Sequence, residues 1–110
     1  MSIIPWSKPS LNQDDYSSVE LALKSTWISG GKYVEELEYE FSNFVGEKYA
    51  ISVNNGTSAL HLAFASLGLK PEAEVIIPSF GFMAAANVAL NLGLRPVFSD
   101  VNIHTWCIDE

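Results

Sequence analysis

Apolar residues recur at helical spacing in two segments of the N-terminal half. In the first segment a rough stripe runs through Leu11, Val19, Ala22, Leu23 and Trp27. This spacing predicts an amphipathic helix. Asn12 or Asp14 is suited to begin it, because a short polar side chain accepts hydrogen bonds from the free amides of a first turn. The run Ser29-Gly30-Gly31 is expected to end the helix.

The second segment gives a clearer helical pattern. Its apolar positions, three or four residues apart, are Val34, Leu37, Phe41, Phe44 and Val45. Glutamates lie between them, on the face that is expected to be solvated. Gly46 is expected to end this helix, because glycine readily adopts the left-handed conformation of a helix C-cap. Before both helices, Pro5 and Pro9 predict an extended segment.

From residue 49 onward, short apolar runs alternate with helical segments. The predicted strands are Tyr49–Val53, Glu74–Ile77 and Pro96–Ser99, and the predicted helices between them are Ala59–Leu67 and Met83–Leu92. Strands that alternate with helices over short connections predict parallel pairing and right-handed crossovers. The strands are continuously apolar, which is typical of a sheet covered on both faces. We therefore expect an α/β fold, with a parallel sheet in a three-layer arrangement.

The predicted sheet is small for the amount of apolar surface around it. Three parallel strands leave two open edges, and the Ala-rich helix that begins at Met83 is apolar nearly all round. These features predict that the chain buries itself against a partner or forms the first part of a larger α/β protein. We accordingly divide it into an N-terminal helical segment, residues 1–46, and a first βαβαβ part of an incomplete domain, residues 47–110.

Composition narrows the classes of partner. The chain has 110 residues and a formal net charge of −7, and 17% of its residues are charged. An acidic chain is a poor ligand for nucleic acid or an anionic membrane, since phosphate neutralisation needs a basic face. A single cysteine, Cys107, excludes an intrachain disulfide, and no signal-peptide or membrane-spanning pattern is present. We expect a cytoplasmic protein. His61, His104 and Cys107 do not form a paired metal-ligand motif.

A polar turn after the first predicted strand is the first candidate site. Residues Asn54-Asn55-Gly56-Thr57-Ser58 sit where a parallel strand ends and a helix opens. Ligands bind at that edge of open α/β sheets, and free amides at a helix N-terminus suit a phosphate. Gly56 would allow close approach, and Thr57 and Ser58 would add hydroxyl donors. Neither a dinucleotide fingerprint nor a P-loop is present, so an ordinary capped helix start remains the alternative.

A second candidate site follows the next predicted strand. Pro78-Ser79-Phe80-Gly81-Phe82 places two aromatic residues around a glycine, at the same expected edge of the sheet. Either ring could cover a planar ligand, and the alternative is that both belong to the core.

These segments together resemble one known family. They comprise Ile4-Pro5 with Lys8-Pro9, Trp27 to Gly31, Val34 to Glu38, Asn55 to Leu62, Glu74 to Phe80 with Phe82, Asn87, Gly93, Pro96 to Phe98, Asp100-Val101, Thr105 and Ile108-Asp109. In order and spacing they resemble the DegT/DnrJ/EryC1/StrS family of pyridoxal-phosphate-dependent sugar aminotransferases. The resemblance covers essentially the whole chain. It implies the N-terminal part of the large domain of the aspartate-aminotransferase-like fold, fold type I.

The resemblance also implies a set of site roles. Gly56, Thr57 and Ser58 would hold the phosphate of pyridoxal 5'-phosphate, and Phe82 would stack on its pyridine ring. Ser29 and Gly30 would lie near the substrate at the active-site mouth. Family members are typically homodimers that transfer an amino group, usually from glutamate, to a nucleotide-linked keto sugar. Their products feed the synthesis of O-antigen, capsule, lipopolysaccharide or antibiotic sugars.

The chain departs from the family in what it lacks. The lysine that forms the Schiff base and the acid that pairs with the pyridine nitrogen come later in family members than this chain extends. None of its own lysines lies in the desolvated setting at a strand end that nucleophilic chemistry requires. We therefore expect no catalytic residue here and no transamination by this chain alone. Gly81 also stands where many members carry Thr.

Two other functions remain open from the sequence. One is a non-catalytic truncated paralogue that binds a small phosphate or dimerises. The other is a pyridoxal-phosphate-dependent sugar dehydratase, in which histidine replaces the lysine.

Overall fold

The computed structural model describes residues 4–5 and 7–109. Along this part of the chain, four helices and two strands follow in the order α1, α2, α3, β1, α4, β2. The chain divides into two compact units, one ending at Ile51 and the other beginning at Ser52.

The first unit begins with α1, Gln13–Lys24. Asn12 is its N-cap: the Asn12 side-chain oxygen accepts hydrogen bonds from the amides of Asp14 and Asp15, at 2.7 and 3.2 Å. Asp15 returns the interaction, because its carboxylate accepts from the Asn12 amide at 2.8 Å. This reciprocal capping box explains why Asn12, and not Asp14, is the N-cap of the helix.

The second helix of this unit, α2, spans Lys32–Val45. Gly46 follows it with φ of 74°, so the predicted left-handed C-cap is confirmed. Ser42 is the buried residue of the helix among those described. Its predicted apolar stripe stays largely exposed, with Leu37, Phe41 and Phe44 all in contact with solvent.

The second unit holds the remaining elements. They are α3 at Gly56–Ser66, β1 at Glu74–Pro78, α4 at Ala84–Asn91 and β2 at Arg95–Ser99. The two strands pair in parallel, with Ile76 opposite Val97 at the centre of the ladder. The α4 helix packs on both strands and on α3. The parallel β–α–β connection predicted from the sequence is therefore confirmed for these elements.

The core of the second unit forms where α4 covers the sheet. Its buried apolar side chains are Ile77, Ala84, Ala86, Val88, Ala89 and Leu94. Small alanines on α4 let the helix approach the sheet closely, and this explains the apolar composition that the sequence showed for the helix. At one end of the ladder Glu74 and Arg95 are register partners and form an exposed ion pair.

The prediction of a strand at Tyr49–Val53 is wrong. The sheet of the described residues has two strands, and residues 49–53 belong to neither. Tyr49 and Ile51 are 75% and 70% exposed. The apolar, β-branched composition of this run reflects strand propensity, but a strand also needs a neighbour with which to form a ladder. None of the described residues supplies that neighbour.

The expectation that both faces of the sheet are covered is also not met within the described residues. Ile77, which faces α4, is 5% exposed, whereas its neighbour along the strand, Ile76, is 64% exposed. Successive side chains of a strand point to opposite faces, so one face meets α4 and the other meets solvent.

None of the helices in the described part of the chain combines the length and apolar character that a bilayer crossing requires.

Candidate functional site

The turn that opens α3 is built around Asn55. The Asn55 side-chain oxygen accepts a hydrogen bond from the Ser58 amide at 2.8 Å, and the Asn55 carbonyl accepts from the Ala59 amide at 3.1 Å. Asn55 is thus the N-cap, and α3 begins at Gly56. The helix starts three residues earlier than the apolar pattern predicted, because the cap and not the first apolar residue sets its start.

The cap leaves the first two amides of α3 without a partner among the described residues. The Ser58 and Ala59 amides are engaged, and no hydrogen bond joins the amide of Gly56 or of Thr57 to the part of the chain that the structure describes. A Cβ built on Gly56 would meet no atom within 4 Å, so the space beside it is open. Thr57 is exposed. Two free amides at the positive end of a helix dipole, beside a hydroxyl and open space, fit a phosphate.

Ser58 is already engaged within the turn. Its amide donates to Asn55, and its hydroxyl donates to the Asn54 side-chain oxygen at 2.7 Å. In this conformation both Ser58 donors stabilise the turn that presents Gly56 and Thr57. The local hydrogen bonding by Asn and Ser that was the alternative to a phosphate site is therefore present. It leaves the amides of Gly56 and Thr57 available as donors.

The loop after β1 carries the two aromatic residues of the second candidate site. The Ser79 amide continues the strand pairing by donating to the Ser99 carbonyl at 2.8 Å. Phe80 packs against Trp106, with ring centroids 5.0 Å apart and planes tilted by 50°. Phe82 is 90% exposed. Neither Phe80 nor Phe82 is a core residue within the described chain, which contradicts the alternative interpretation of this site.

Trp106 was not predicted as a neighbour of this loop. It lies in a hairpin in which Val101 and Ile108 form an antiparallel bridge, and its φ of 59° is unusual for a bulky residue. The Asn102 carbonyl accepts the Trp106 amide at 2.8 Å and fixes this conformation. A long-range contact between two loops leaves no periodic signal in the sequence, and Thr105-Trp106 gave no indication of it.

The predicted substrate residues, Ser29 and Gly30, lie in the first unit, in the turn between α1 and α2. Both are exposed. The Trp27 indole nitrogen donates to the Gly30 carbonyl at 2.7 Å. Each unit thus carries a candidate segment of its own, the substrate segment in the first and the phosphate turn with Phe82 in the second.

The titratable side chains of the described residues form no further site. The lysines at positions 8, 24, 32, 48 and 70 are all exposed. Lys24 pairs with Glu20 at 2.7 Å, and Lys48 lies 5.0 Å from the centroid of the Tyr49 ring. Within residues 4–5 and 7–109, no group of His, Cys, Asp and Glu side chains is arranged to hold a metal ion.

Comparison with known proteins gives consistent matches for this fold and these segments. The model of the DegT/DnrJ/EryC1/StrS aminotransferase family matches residues 9–110. The spore coat polysaccharide biosynthesis protein SpsC of Bacillus subtilis is 39% identical over 96% of this chain and 27% of its own length. GDP-perosamine synthase of Vibrio cholerae is 39% identical over 90% of this chain and 27% of its own length. The chain therefore spans about a quarter of the length of these relatives.

Solved structures agree with the family match. The Escherichia coli GDP-4-keto-6-deoxy-D-mannose-3-dehydratase, solved with bound hydrated pyridoxal phosphate, matches with a TM-score of 0.90 and 30% identity. The match covers 96% of this chain and 28% of that one. A structure of GDP-4-keto-6-deoxymannose-3-dehydratase with a trapped pyridoxal phosphate–glutamate geminal diamine matches equally well, with a TM-score of 0.90 over 96% of this chain and 29% of that one. The expected fold and the family's cofactor, pyridoxal 5'-phosphate, are confirmed, and the chain belongs to the DegT/DnrJ/EryC1/StrS aminotransferase family.

Proposed function

We propose that this chain forms the cofactor-phosphate and substrate-entry part of a pyridoxal-phosphate-dependent aminotransferase that acts on nucleotide-linked keto sugars. The observation that carries the proposal is the pair of free amides at Gly56 and Thr57. They lie at the N-terminus of a capped helix that begins within Asn55 to Leu62, the segment that resembles the family there. The two domain parts predicted from the sequence, residues 1–46 and 47–110, are retained as part of this proposal.

In this proposal the phosphate is held by backbone donors and one hydroxyl. The amides of Gly56 and Thr57 and the Thr57 hydroxyl would donate hydrogen bonds to the phosphate. Ser58 contributes by fixing the turn through Asn54 and Asn55. The glycine leaves the approach to these amides open, because a Cβ would point into free space that the phosphate can occupy.

The exposed ring of Phe82 provides a face for the pyridine ring of the cofactor. Its exposure of 90% means that it makes little contact with its own chain and is available for stacking. When bound, the cofactor accepts an amino group from one substrate and delivers it to another. In this proposal the residues of this chain bind and orient the cofactor, and its exposed lysines do not form the Schiff base.

Ser29 and Gly30 are proposed to contact the keto sugar at the entrance to the active site. Glutamate as the amino donor is supported by the dehydratase structure in which it is trapped on the cofactor. A GDP-linked sugar is supported by the name of the Vibrio relative, and polysaccharide biosynthesis by that of the Bacillus relative. A homodimer, a cytoplasmic location and a product used in O-antigen synthesis complete the proposal.

A chimera tests the proposal. In it, this chain replaces the matching segment of the Vibrio cholerae GDP-perosamine synthase, to which it is 39% identical. We expect the chimera to form the amino sugar from the keto sugar and glutamate. The Thr57→Val chimera should need at least tenfold more cofactor for half-maximal activity, because the variant lacks a donor to a charged group. A folded chimera that binds no cofactor would contradict the proposal and favour a non-catalytic module.

A sugar dehydratase is the second candidate, since solved dehydratases match this chain with TM-scores of 0.90. The two functions differ in their products and not in the part of the fold described here. Incubating the complete protein with a GDP-linked 4-keto-6-deoxy sugar and glutamate separates them. An aminated sugar supports the transferase, and a keto sugar in which hydrogen has replaced a hydroxyl, with no nitrogen gained, supports the dehydratase.

A further inference from the structure

The indole of Trp27 holds the turn that joins α1 to α2. Its ring nitrogen donates a hydrogen bond of 2.7 Å to the Gly30 carbonyl. A Cβ on Gly31 would lie 2.6 Å from that same nitrogen and 3.2 Å from the neighbouring ring carbon. Real Cβ atoms essentially never come within 3.0 Å of another heavy atom. The ring therefore fills the space that any side chain at position 31 would need.

The backbone on both sides of the indole is also constrained. Thr26 has a φ of 60°, and Gly31 has a φ of 151°, which favours glycine. The Ser25 hydroxyl oxygen accepts the Trp27 amide at 3.2 Å. The Gly31 carbonyl accepts two amides of the first turn of α2, at 2.9 and 3.0 Å. Trp27 is thus fixed at its own backbone, and the turn that it contacts is fixed to the next helix.

Ser29 and Gly30 lie inside this constrained turn and remain open to solvent. A Cβ built on Gly30 would meet no atom within 4 Å. Because a peptide unit is planar, a hydrogen bond that fixes the Gly30 carbonyl also fixes the direction of the Gly31 amide. The hydrogen bond from the indole therefore fixes the orientation of the peptide unit that joins Gly30 to Gly31.

We propose that Trp27 is a positioning residue for the nucleotide-linked keto sugar, acting through the backbone of Ser29 and Gly30. This inference rests on the proposed function, in which those two residues contact the sugar. It adds a residue with no assigned role, and it explains why glycine is required at position 31.

Kinetics of the chimera described above test this positioning role. Trp27→Phe keeps most of the ring and removes the donor. We expect the KM for the keto sugar to rise about fivefold, the typical effect of losing one neutral hydrogen bond. The KM for glutamate and the kcat should stay within twofold, because glutamate lacks the nucleotide-sugar part that the segment contacts. Gly31→Ala should raise the sugar KM further, since its Cβ displaces the indole.

Tyr33→Phe is the matched control. Tyr33 lines the same cavity of ≈ 410 Å³ as Trp27 and Gly31 and also carries an aromatic ring with one polar group. This control should change neither KM. Equal rises in both KM values for Trp27→Phe would contradict the proposal, as would a rise of the same size for Tyr33→Phe, because either result indicates a general structural effect.

Exchange of indole protons in the 110-residue chain tests the contact without any activity. The Trp27 ring N–H should exchange with solvent about tenfold more slowly than that of Trp106, whose indole makes no hydrogen bond to the described residues. Gly31→Ala should abolish the difference. Equal exchange in the unsubstituted chain would overturn the proposal. If the unsubstituted chimera fails to aminate the sugar, the proposed function fails, while slow exchange still shows that Trp27 holds Gly30.

Discussion

The side-chain oxygen of Asn55 lies 2.8 Å from the amide nitrogen of Ser58 and accepts its hydrogen bond. This one contact decides which donors of the α3 N-terminus remain available. The third amide of the helix is satisfied within the chain, and the first two, at Gly56 and Thr57, are left for a ligand. The cap and the proposed phosphate site are thus complementary parts of one turn.

Removing the cap is expected to destabilise the second unit. Asn55→Ala should lower the free energy of unfolding by about 1 kcal/mol, because the Ser58 amide loses its acceptor. Asn55→Asp should restore it, and Asn91→Ala, at the exposed end of α4, is the matched control. Urea unfolding followed by circular dichroism measures the change. An Asn55→Ala chain as stable as the control would contradict the capping role.

The two hydroxyls of the turn should differ in their effect on ligand affinity. Thr57→Val should weaken binding of pyridoxamine 5'-phosphate roughly tenfold or more, since it removes a donor to a charged oxygen. Ser58→Ala should weaken binding less, because the Ser58 hydroxyl donates to Asn54. Isothermal titration calorimetry measures both. Pyridoxamine phosphate is the suitable probe, as it has no aldehyde to react with exposed lysines. A larger loss in Ser58→Ala would reverse the assignment.

Phe82 should matter for the ring of the ligand and not for its phosphate. Phe82→Ala is expected to weaken pyridoxamine phosphate binding several-fold and to leave the affinity for methyl phosphate unchanged. Because the side chain is 90% exposed, the free energy of unfolding should stay within about 0.5 kcal/mol of the unsubstituted value. Equal losses for both ligands, or none for either, would count against stacking by this ring.

The Phe80–Trp106 contact should stabilise the loop after β1. A double-mutant cycle with Phe80→Ala and Trp106→Ala is expected to give a coupling free energy of about 1 kcal/mol, as for other tilted aromatic pairs. The same cycle with Phe82 in place of Phe80 is the control and should give none. A coupling near zero for the first pair would mean that the two rings meet without stabilising the loop.

Local features of the fold could be read from the sequence because local chemistry determines them. Asn12 begins α1 through a capping box, and Gly46 ends α2 in the left-handed conformation. The two strands that were correctly predicted border α4, and this helix buries one face of their pairing. For the two caps, the residues that give the signal lie within a few positions of the helix end that they form, and the two strands are joined directly through α4.

Long-range features could not be read in the same way. Tyr49–Val53 has the composition of a strand, yet strand formation depends on a neighbour elsewhere in the chain. The contact between Phe80 and Trp106 joins two loops far apart in the sequence. The Trp27–Gly31 contact was missed although a signal existed: a glycine pair shortly after a tryptophan is compatible with close approach of a ring to the backbone. From the sequence, this glycine pair predicted a helix end, and the family resemblance implied a substrate contact for Gly30.

The proposed site is tested most directly by a nuclear magnetic resonance titration of the ¹⁵N-labelled chain with pyridoxamine 5'-phosphate. Saturable shifts are expected to be largest at the amides of Gly56 and Thr57, and pyridoxamine without the phosphate should produce none there. Shifts that spread over other amides while Gly56 and Thr57 stay unchanged would contradict the assignment of the phosphate site, and so would equal shifts with both ligands.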